Sequence, residues 1–391
     1  MISVKEALNN IFELVAQLEA EQVGLRDANG RILARSVIAK RDQPPFSASA
    51  MDGYAICSKD LDKGVIKWKV IGEAGAGHGF GGYVKSGQAT RIFTGAPMPE
   101  GTDQVIIQEN VKLRNLVITL SQTPNLEKYV RAAGSDFNSG FTLKAPRLLT
   151  PHDVALMAAM NSPTPWVTRK PKIVIIGTGD ELVQPGEQPN DNQIIASNTY
   201  GLAAMLKAAG ATPRLLPIAR DRLTSLEQVF SLIGTADAVI TVGGASVGDY
   251  DFVSQAASNF GMKHSFYKVA MRPGKPLMAG YLRGIPMIGL PGNPVSAMVC
   301  GEVFLIPLIQ KMLGLPAVPR LRKNGQIGHS LPQNGTREHY MRAKLINGSI
   351  FIEDPQDSSL LTVLANADAL AVRPKDDGPL KEGSNIEYIP L

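Results

Sequence analysis

Acidic side chains follow two short runs of β-branched residues, at the points where buried strands would end. The runs cover 172–176 and 238–242, and each leads into a glycine-rich loop. The loops contain four acids: Asp180, Glu181, Asp249 and Asp251. Carboxylate oxygens bind hard cations such as Mg²⁺ and also act as bases. The acids therefore predict a metal or base site, although Asp180 could instead cap a helix and the last two could be turn residues.

The same two loops offer backbone N–H groups and hydroxyls to an anion. The residues concerned are Thr178, Gly179, Gly243, Gly244, Ser246 and Gly248. Consecutive N–H groups in a loop of this kind can bind a phosphate. A turn that requires positive φ would explain the glycines equally well, so the loops alone leave both interpretations open.

Three cations follow within eight residues of one another. Lys268, Arg272 and Lys275 lie in a segment that two prolines stiffen. Such a group favours oxyanion binding, with solvated surface side chains as the alternative. A second anion-binding site is predicted where a helix should begin, at Pro291, Gly292, Asn293 and Pro294. Asn is a favoured N-cap, Pro is a favoured first helical residue, and helix N-termini attract phosphate.

Other catalytic groupings do not emerge from the sequence pattern. The five histidines do not cluster along the chain, and no Ser/His/Asp order stands out. This argues against zinc catalysis and triad hydrolysis. Asp52 lies in a turn-like segment and Thr94 follows a short strand-like run. The physics of the sequence alone assigns neither of them a role.

A sheet is needed to bring the loops together, and the segment 171–318 supplies one. Apolar runs typical of strands alternate there with helical patterns, including a helix that Asn198 should cap. Such alternation indicates right-handed βαβ units and a mostly parallel sheet, which binds ligands at the carboxyl ends of its strands. A long apolar helix from Val295 should be kinked or split by Pro307.

Three further regions complete the predicted multidomain α/β fold. Residues 1–45 with 140–170 should form a helical N-terminal domain, whose first helix begins with a capping box at Ser3. Residues 46–139 should form an inserted β-rich domain, because short alternating runs and turn residues recur there. Residues 319–391 should form a C-terminal β domain for the same reason.

The composition is typical of a soluble globular protein. The 391 residues are 44% hydrophobic and 19% charged, and the formal net charge is +5. Basic residues form no long run, so nucleic acid is a poor candidate partner. The start does not resemble a signal peptide and no segment approaches eighteen uninterrupted apolar residues, so we expect a cytoplasmic protein without membrane contact. Two distant cysteines, Cys57 and Cys300, agree with a reducing compartment.

Eight motifs spread over nearly the whole chain resemble those of the molybdopterin molybdenumtransferases, the family that includes the E domain of gephyrin. In the family's order they are Ser49–Ala55, Thr94–Pro97, Arg131–Asp136, Thr178–Leu182, Gly243–Asp251, Arg272–Pro276, Pro291–Pro294 and Arg337–Arg342. Each motif is short, but eight in the right order are hard to obtain by chance. Two positions depart from the family: Arg272 is often lysine in relatives, and Asn161 stands where glycine is frequent.

The resemblance implies roles for individual residues. Catalytic roles would fall on Asp52, Glu181, Asp221, Asp251, Lys268, Arg272 and Lys275. Among these, Glu181, Asp221 and Asp251 would hold a divalent cation such as Mg²⁺. Substrate would also be contacted by Thr94, Arg131, Asp136 and Asp180, and by the loop residues and the helix start described above. Asp221 is matched only by its place between a strand and a helix.

The resemblance also implies the reaction and the assembly. Molybdate would be inserted into adenylated molybdopterin, a small-molecule substrate, with release of AMP and formation of molybdenum cofactor. The family forms elongated homodimers of four-domain subunits, with the active cleft between the α/β domain of one subunit and the β-rich insert of the other. Contacts with the molybdopterin adenylyltransferase and with molybdoenzymes would be expected.

Two alternatives remain open at this stage. The chain could be a non-catalytic scaffold that binds molybdopterin and a partner protein, or it could be a molybdopterin adenylyltransferase, which shares the α/β domain. The complete set of acids and cations speaks against a scaffold. The Asp52 and Thr94 motifs and the C-terminal β domain speak against an adenylyltransferase.

Overall fold

The computed structural model describes residues 1–122, 127–243 and 252–391. Two compact units are formed. The first consists of Met1–Glu21, Gly30–Ala34 and Val167–Leu391, and the second consists of Gln22–Asn29 and Arg35–Trp166. The finer division into four domains stays a prediction.

Nine α-helices form within the described residues: α1 (Val4–Glu13), α2 (Ser58–Asp62), α3 (Pro151–Ala159), α4 (Asn198–Ala208), α5 (Leu223–Ser231), α6 (Phe252–Asn259), α7 (Pro294–Cys300), α8 (Ile306–Met312) and α9 (Leu361–Ala365). The predicted capping box begins α1. The Ser3 Oγ accepts a hydrogen bond from the Glu6 N–H at 3.2 Å, and the Glu6 Oε2 accepts one from the Ser3 N–H at 2.8 Å.

The strands of the first half of the chain are β1 (Ala20–Gln22), β2 (Ile32–Leu33), β3 (Val37–Ile38), β4 (Ala48–Ser49), β5 (Gly53–Ile56), β6 (Lys67–Ala74), β7 (Gln88–Ile92), β8 (Gln104–Ile107), β9 (Val111–Arg114), β10 (Val117–Leu120), β11 (Val130–Arg131), β12 (Thr142–Leu143), β13 (Arg147–Leu148) and β14 (Trp166–Thr168). Those of the second half are β15 (Lys172–Gly177), β16 (Leu182–Val183), β17 (Ile194–Ile195), β18 (Thr212–Leu215), β19 (Ala238–Val242), β20 (Met262–Tyr267), β21 (Met271–Arg272), β22 (Met278–Leu282), β23 (Ile285–Leu290), β24 (Lys323–Ile327), β25 (Glu338–Ile346), β26 (Ser349–Ile352), β27 (Ala369–Arg373) and β28 (Asn385–Pro390).

The first unit contains the predicted mostly parallel sheet. Its strand order is β18-β15-β19-β23-β22-β20. The first four strands are parallel to one another, β22 is antiparallel to β23, and β20 is antiparallel to β22. Residues of β15 alternate between the two faces: Ile173 and Ile175 pack in one apolar core, and Val174 and Ile176 in another. Burial on both faces explains why this strand is a continuous β-branched run.

A long apolar helix packs against this sheet, and its course departs from a regular α-helix. A π-helical turn, Gly301–Leu305, separates α7 from α8, and Pro307 is the second residue of α8. This confirms the predicted interruption near Pro307. Its physical cause is that proline cannot donate the backbone hydrogen bond that a regular helix requires. Among the described helices, Pro294–Met312 alone is long and apolar enough to cross a membrane, yet 72% of its apolar window is buried inside the protein.

The C-terminal part of the first unit is a closed β structure. The strand order is β21-β25-β26-β24-β28-β27, and β27 also pairs with β25. The last five strands therefore form a ring, and β21 joins it at β25. Arg272 on β21 pairs with His339 on β25, and His339 pairs with Arg373 on β27. This register places three basic side chains side by side.

The second unit is built on a six-stranded sheet with the order β8-β5-β7-β6-β10-β9. Its core is centred on Trp68, which is fully buried and whose Nε1–H donates to the Asp60 Oδ2 at 2.9 Å. In the same unit Asn161 has a φ of 58°, which is the left-handed conformation that glycine adopts readily. The short strands predicted for residues 46–139 are present, from β4 to β11.

Candidate active site

A cleft of about 450 Å³ opens at the carboxyl ends of β15, β19 and β23. We call it the strand-end cleft. Its walls include Thr178 and Glu181 after β15, Val242 at the end of β19, and Gly292 and Pro294 after β23. The two glycine-rich loops were predicted to meet at one edge of the sheet, and their first residues do so. The predicted site residues Gly244, Ser246, Gly248 and Asp251 lie outside the described residues.

The two loops approach each other closely at Gly243. The Thr178 N–H donates to the Val242 carbonyl at 2.9 Å, and the Gly243 N–H donates to the Leu290 carbonyl at 3.1 Å. A Cβ on Gly243 would lie 2.5 Å from the Thr178 carbonyl oxygen, and the φ of Gly243 is 95°. Both the contact and the dihedral require glycine here, so the structural explanation of this residue applies whatever binds beside it.

The acids of the first loop are tied to a second segment of chain. The Asp180 Oδ1 accepts a hydrogen bond from the Asp221 N–H at 3.2 Å, and the Asp180 N–H donates to the Asp221 Oδ2 at 3.4 Å. Burial, together with the nearby Asp180 charge, raises the pKa of Asp221. No helix follows Asp180, because the loop leads into β16, so its interpretation as a helix cap is wrong. Two carboxylates therefore lie close together beside the cleft.

Arg220 holds this acidic loop in place. Its Nη1 donates to the carbonyls of Asp180 at 2.9 Å, Leu182 at 3.0 Å and Gly179 at 3.4 Å. Arg220 was not identified from the sequence, because its partners are about forty positions away in the chain and no local pattern marks them. Arg220 therefore fixes the position from which Glu181 faces the strand-end cleft.

A second cavity, of about 730 Å³, is also lined by a residue of the Pro291–Pro294 loop, Asn293. We call it the cation pocket, because Arg272, Lys275 and Arg337 line it together with His339. Within the part of the chain that the structure describes, none of these three cations forms a salt bridge. Unpaired cations around a cavity favour an anionic ligand.

The Pro291–Pro294 loop lines both cavities and is held by hydrogen bonds to two other segments of the chain. Gly292 and Pro294 face the strand-end cleft, and Asn293 faces the cation pocket. Asn293 is the N-cap of α7, but its side chain makes no capping bond and its Nδ2 instead donates to the Ser358 Oγ at 3.1 Å. Likewise, Asn198 does not cap α4, whose N-cap is Ser197; its Nδ2 donates to the Gly292 carbonyl at 2.7 Å.

Several cation-pocket residues were not identified as site residues from the sequence. Arg337 belonged to a recognised motif without an assigned role, and Asp357 and Ser358 lie in none of the eight motifs. His339 shows no clustering with other histidines along the sequence, and burial together with the charges of nearby arginines lowers its pKa to about 4. Only the pairing of β25 with β21 brings it beside Arg272.

Lys268 is placed differently from the two cations with which it was grouped. It is not among the residues that line the cation pocket. Its φ is 74°, its N–H donates to the Leu277 carbonyl at 2.9 Å, and its Nζ lies 5.8 Å from the centre of the Tyr267 ring. The structure therefore brings Arg272 and Lys275 together in one cavity, without Lys268.

The predicted residues of the second unit form their own polar group. The Thr94 N–H and Oγ1–H both donate to the Asp52 Oδ1, at 2.7 and 2.8 Å. These bonds, first from the backbone and then from the side chain, lower the pKa of Asp52, and the Arg91 charge adds to the effect. Arg91 itself donates to the Gly53 carbonyl at 3.1 Å and was missed in the sequence.

Arg131 and Asp136 lie in the same unit and are both exposed. Arg131 pairs with Ala48, which is close in sequence to Asp52, through the β4–β11 ladder. The Asp136 N–H donates to the Gln43 carbonyl at 2.9 Å. Taken over residues 1–122, 127–243 and 252–391, no group of three or more His, Cys, Asp or Glu side chains is arranged to hold a metal ion.

Comparison with known proteins agrees with this architecture. Family models match three consecutive parts of the chain: "MoeA N-terminal region (domain I and II)" at residues 2–161, "Probable molybdopterin binding domain" at 174–311 and "MoeA C-terminal region (domain IV)" at 324–391. Two crystal structures of a molybdopterin biosynthesis MoeA protein from Pyrococcus horikoshii have TM-scores of 0.86 and 0.83. They are 27% and 25% identical, and the matches cover 100% of this chain and 99% and 100% of theirs.

Curated relatives match over the same length. A molybdopterin molybdenumtransferase from Nostoc sp. is 36% identical, and the match covers 100% of this chain and 94% of the relative. Molybdopterin molybdenumtransferase 2 of Mycobacterium tuberculosis is 32% identical, with 99% of each chain covered. The chain described here belongs to the molybdopterin molybdenumtransferase (MoeA) family.

Proposed function

We propose that this protein inserts molybdate into adenylated molybdopterin, releasing AMP and giving molybdenum cofactor. One observation supports the proposal most directly: residues of the single loop Pro291–Pro294 line both the strand-end cleft and the cation pocket. Two anionic reactants bound in these neighbouring cavities would be held close to each other. Holding two reactants in this way replaces a bimolecular encounter with a step inside one complex.

The cation pocket suits molybdate. Molybdate is a dianion, and Arg272, Lys275 and Arg337 supply charges that no carboxylate neutralises in the described part of the chain. The Asn293 and Ser358 side chains, already joined by a hydrogen bond, add neutral polar groups to the same wall. Charged donors of this kind would also stabilise negative charge that develops as AMP departs.

The strand-end cleft suits the molybdopterin end of the substrate. We assign the phosphate of molybdopterin to the Ser246 loop and to the start of α7 after Asn293, where Gly292 and Pro294 line the cleft, because backbone N–H groups at such places favour anions. Glu181 faces the same cleft, and Arg220 holds the loop that carries it. Lys268 lines neither cavity, and we propose that it contributes positive charge to the substrate from a greater distance.

A divalent cation fits the acidic side of the site. Asp221 lies next to Asp180, and its pKa is raised by burial, so a cation would relieve an unfavourable pair of carboxylates. We propose Glu181, Asp221 and Asp251 as the residues that would hold Mg²⁺, since oxygen ligands are those it prefers. When bound, the ion would polarise the pyrophosphate bridge of the substrate. The protein's own part is to orient the bridge and to hold the departing adenylate.

We further propose a cytoplasmic homodimer in which Asp52, Thr94, Arg131 and Asp136 of one subunit contact substrate bound to the other. The family resemblance supports this, as does the polar Asp52–Thr94 pair, whose lowered pKa keeps the carboxylate charged. Sedimentation of the purified protein should give the mass of two chains. Contacts with the preceding adenylyltransferase and with recipient molybdoenzymes belong to the same proposal.

The direct test is AMP release by the purified protein. Adenylated molybdopterin should yield AMP and molybdenum cofactor only when molybdate and Mg²⁺ are both present. Glu181→Ala and Lys275→Ala should each slow release by on the order of 100-fold. Glu187→Ala is the matched control, because Glu187 lies in the following loop, where its Oε2 accepts from the Gln184 N–H at 2.8 Å.

Two results would redirect the proposal. Unchanged molybdenum insertion by Glu181→Ala would favour a scaffold. Adenylated product formed from ATP and molybdopterin would indicate an adenylyltransferase. Because both assays use the same purified protein, they can be run side by side.

A further inference from the structure

His339 occupies a special place in the cation pocket. It is only 8% exposed, and its side chain lines the cavity together with Arg272, Lys275 and Arg337. On one side β25 pairs it with Arg272, and on the other with Arg373. Side chains at paired positions of neighbouring strands point to the same face, so the imidazole lies in a row of guanidinium groups.

The charged groups that face His339 come from every element around it. Arg373 on β27 is neutralised by Asp377, with Nε and Oδ2 2.5 Å apart. Arg342, on β25 itself, donates to the carbonyls of Asp357 at 2.6 Å and Pro355 at 3.3 Å, and keeps its positive charge. The Asp357 carboxylate also borders the pocket and accepts from the Ser359 N–H and Oγ–H.

In the described parts of the chain, the remaining cations of the pocket have no acidic partner of this kind. Arg272, Lys275 and Arg337 form no salt bridge among the residues described. Burial and the positive field of these groups together disfavour a protonated imidazole, in line with a pKa of about 4 for His339. A bound dianion would bring two negative charges into the same cavity and reverse the sign of that field.

We propose that His339 takes up a proton when a dianionic oxyanion enters the cation pocket, and that the imidazolium then forms part of the binding site. The inference rests on the proposed function, because it takes the cation pocket to be the molybdate site. It adds a residue and a linked protonation to that site. One further donor and one further positive charge become available only when the anion is present.

Binding measured against pH tests the proposal. Sulfate is a suitable probe beside molybdate because it stays a dianion between pH 6 and pH 8. Arginine and lysine side chains ordinarily keep their charge over this range, so a linked proton must come from elsewhere. For one proton taken up, the sulfate affinity of the wild-type protein should rise by up to about tenfold per unit of falling pH. Calorimetry in two buffers of different ionisation enthalpy should show the same proton uptake.

Variants separate His339 from other histidines. His339→Gln should bind sulfate more weakly at pH 6, and its affinity should be independent of pH. His329→Gln is the matched control, because His329 is in the same C-terminal structure but packs against Phe351, with ring centres 5.9 Å apart, and is not among the pocket residues. It should keep the wild-type slope.

A measurement on the wild-type protein covers the case in which His339→Gln does not fold. The imidazole NMR signals of His339 should be those of a neutral ring at pH 6.5 and should move to those of an imidazolium as sulfate is added. Sulfate binding without proton uptake overturns the inference and leaves the proposed function intact. Failure of both sulfate and molybdate to bind overturns the assignment of the pocket itself, and the proposed function with it.

Discussion

The Asn198 side chain donates a hydrogen bond of 2.7 Å to the Gly292 carbonyl, across 94 positions of sequence. The bond joins the first turn of α4 to the loop that lines both the strand-end cleft and the cation pocket. Since both cavities share this loop, one hydrogen bond fixes a wall of each.

Asn198→Asp tests this bond, because it replaces the donor with a carboxylate of the same shape. We expect a loss of about 1 kcal/mol in stability, as for a hydrogen bond whose partner is left unsatisfied, and a roughly tenfold loss in AMP release through misplacement of the loop. Asn192→Asp, in an exposed loop, is the control for added charge. Equal activity of the two variants would contradict the assigned role.

Arg220 should control the order of the acidic loop. Arg220→Met removes three hydrogen bonds to the carbonyls of Gly179, Asp180 and Leu182 and should cost about 2 kcal/mol. The Ile194 amide, which donates to the Glu181 carbonyl at 2.7 Å, should then exchange faster with solvent. Arg222→Met is the control, because Arg222 is an exposed neighbour of Arg220. In this variant the Ile194 amide should exchange with solvent as it does in the wild type. Unaltered Ile194 protection in Arg220→Met would falsify this role.

Gly243 and Gly186 offer a matched pair of glycine substitutions. Both have a φ of 95°, but a Cβ on Gly186 would meet nothing within 4 Å, whereas one on Gly243 would lie 2.5 Å from the Thr178 carbonyl. Gly186→Ala should cost about 1 kcal/mol for the dihedral alone. Gly243→Ala should cost about 3 kcal/mol or more, because the backbone must also move. Thermal denaturation measures the loss of stability in both variants. Similar melting temperatures would contradict the close approach of Gly243 to the Thr178 carbonyl.

Asp103 should make the second unit sensitive to acid. Burial raises its pKa, but hydrogen bonds from Lys128 and Ser58 outweigh that effect and lower it to about 2. A carboxylate with a lowered pKa stabilises the folded state above its unfolded pKa of about 4, and this stabilisation is lost as the pH falls towards 2. Because the Asp103 side chain is 47% exposed, we expect its charge to contribute only about 1 kcal/mol to the free energy of unfolding.

Asp103→Asn should therefore lower the melting temperature at pH 7 and make little difference at pH 2. Asp27→Asn, at an exposed position of the same unit, serves as the control and should change neither value appreciably. A constant difference between Asp103→Asn and the wild type across this pH range would show that the charge of Asp103 is not the cause.

Local patterns determined much of the fold. The continuous apolar run 172–176 predicted a strand buried on both faces, and the capping box at Ser3 predicted where α1 begins. These signals are local, because side-chain periodicity and capping depend on residues only a few positions apart. For the same reason the sequence showed that two glycine-rich loops leave neighbouring parallel strands at one edge.

The composition of the two cavities was decided by tertiary structure. Lys268, Arg272 and Lys275 are near one another in the sequence, but the course of the chain places only the last two in the cation pocket. His339 and Ser358 enter the same pocket because β25 of the closed ring also pairs with β21, and because the segment before α9 lies against the start of α7. Pairing between strands joins residues far apart in the chain, and a single sequence contains no local signal for such a register. The sequence alone therefore determined which kinds of side chain the site could use, and the fold decided which of them share a cavity.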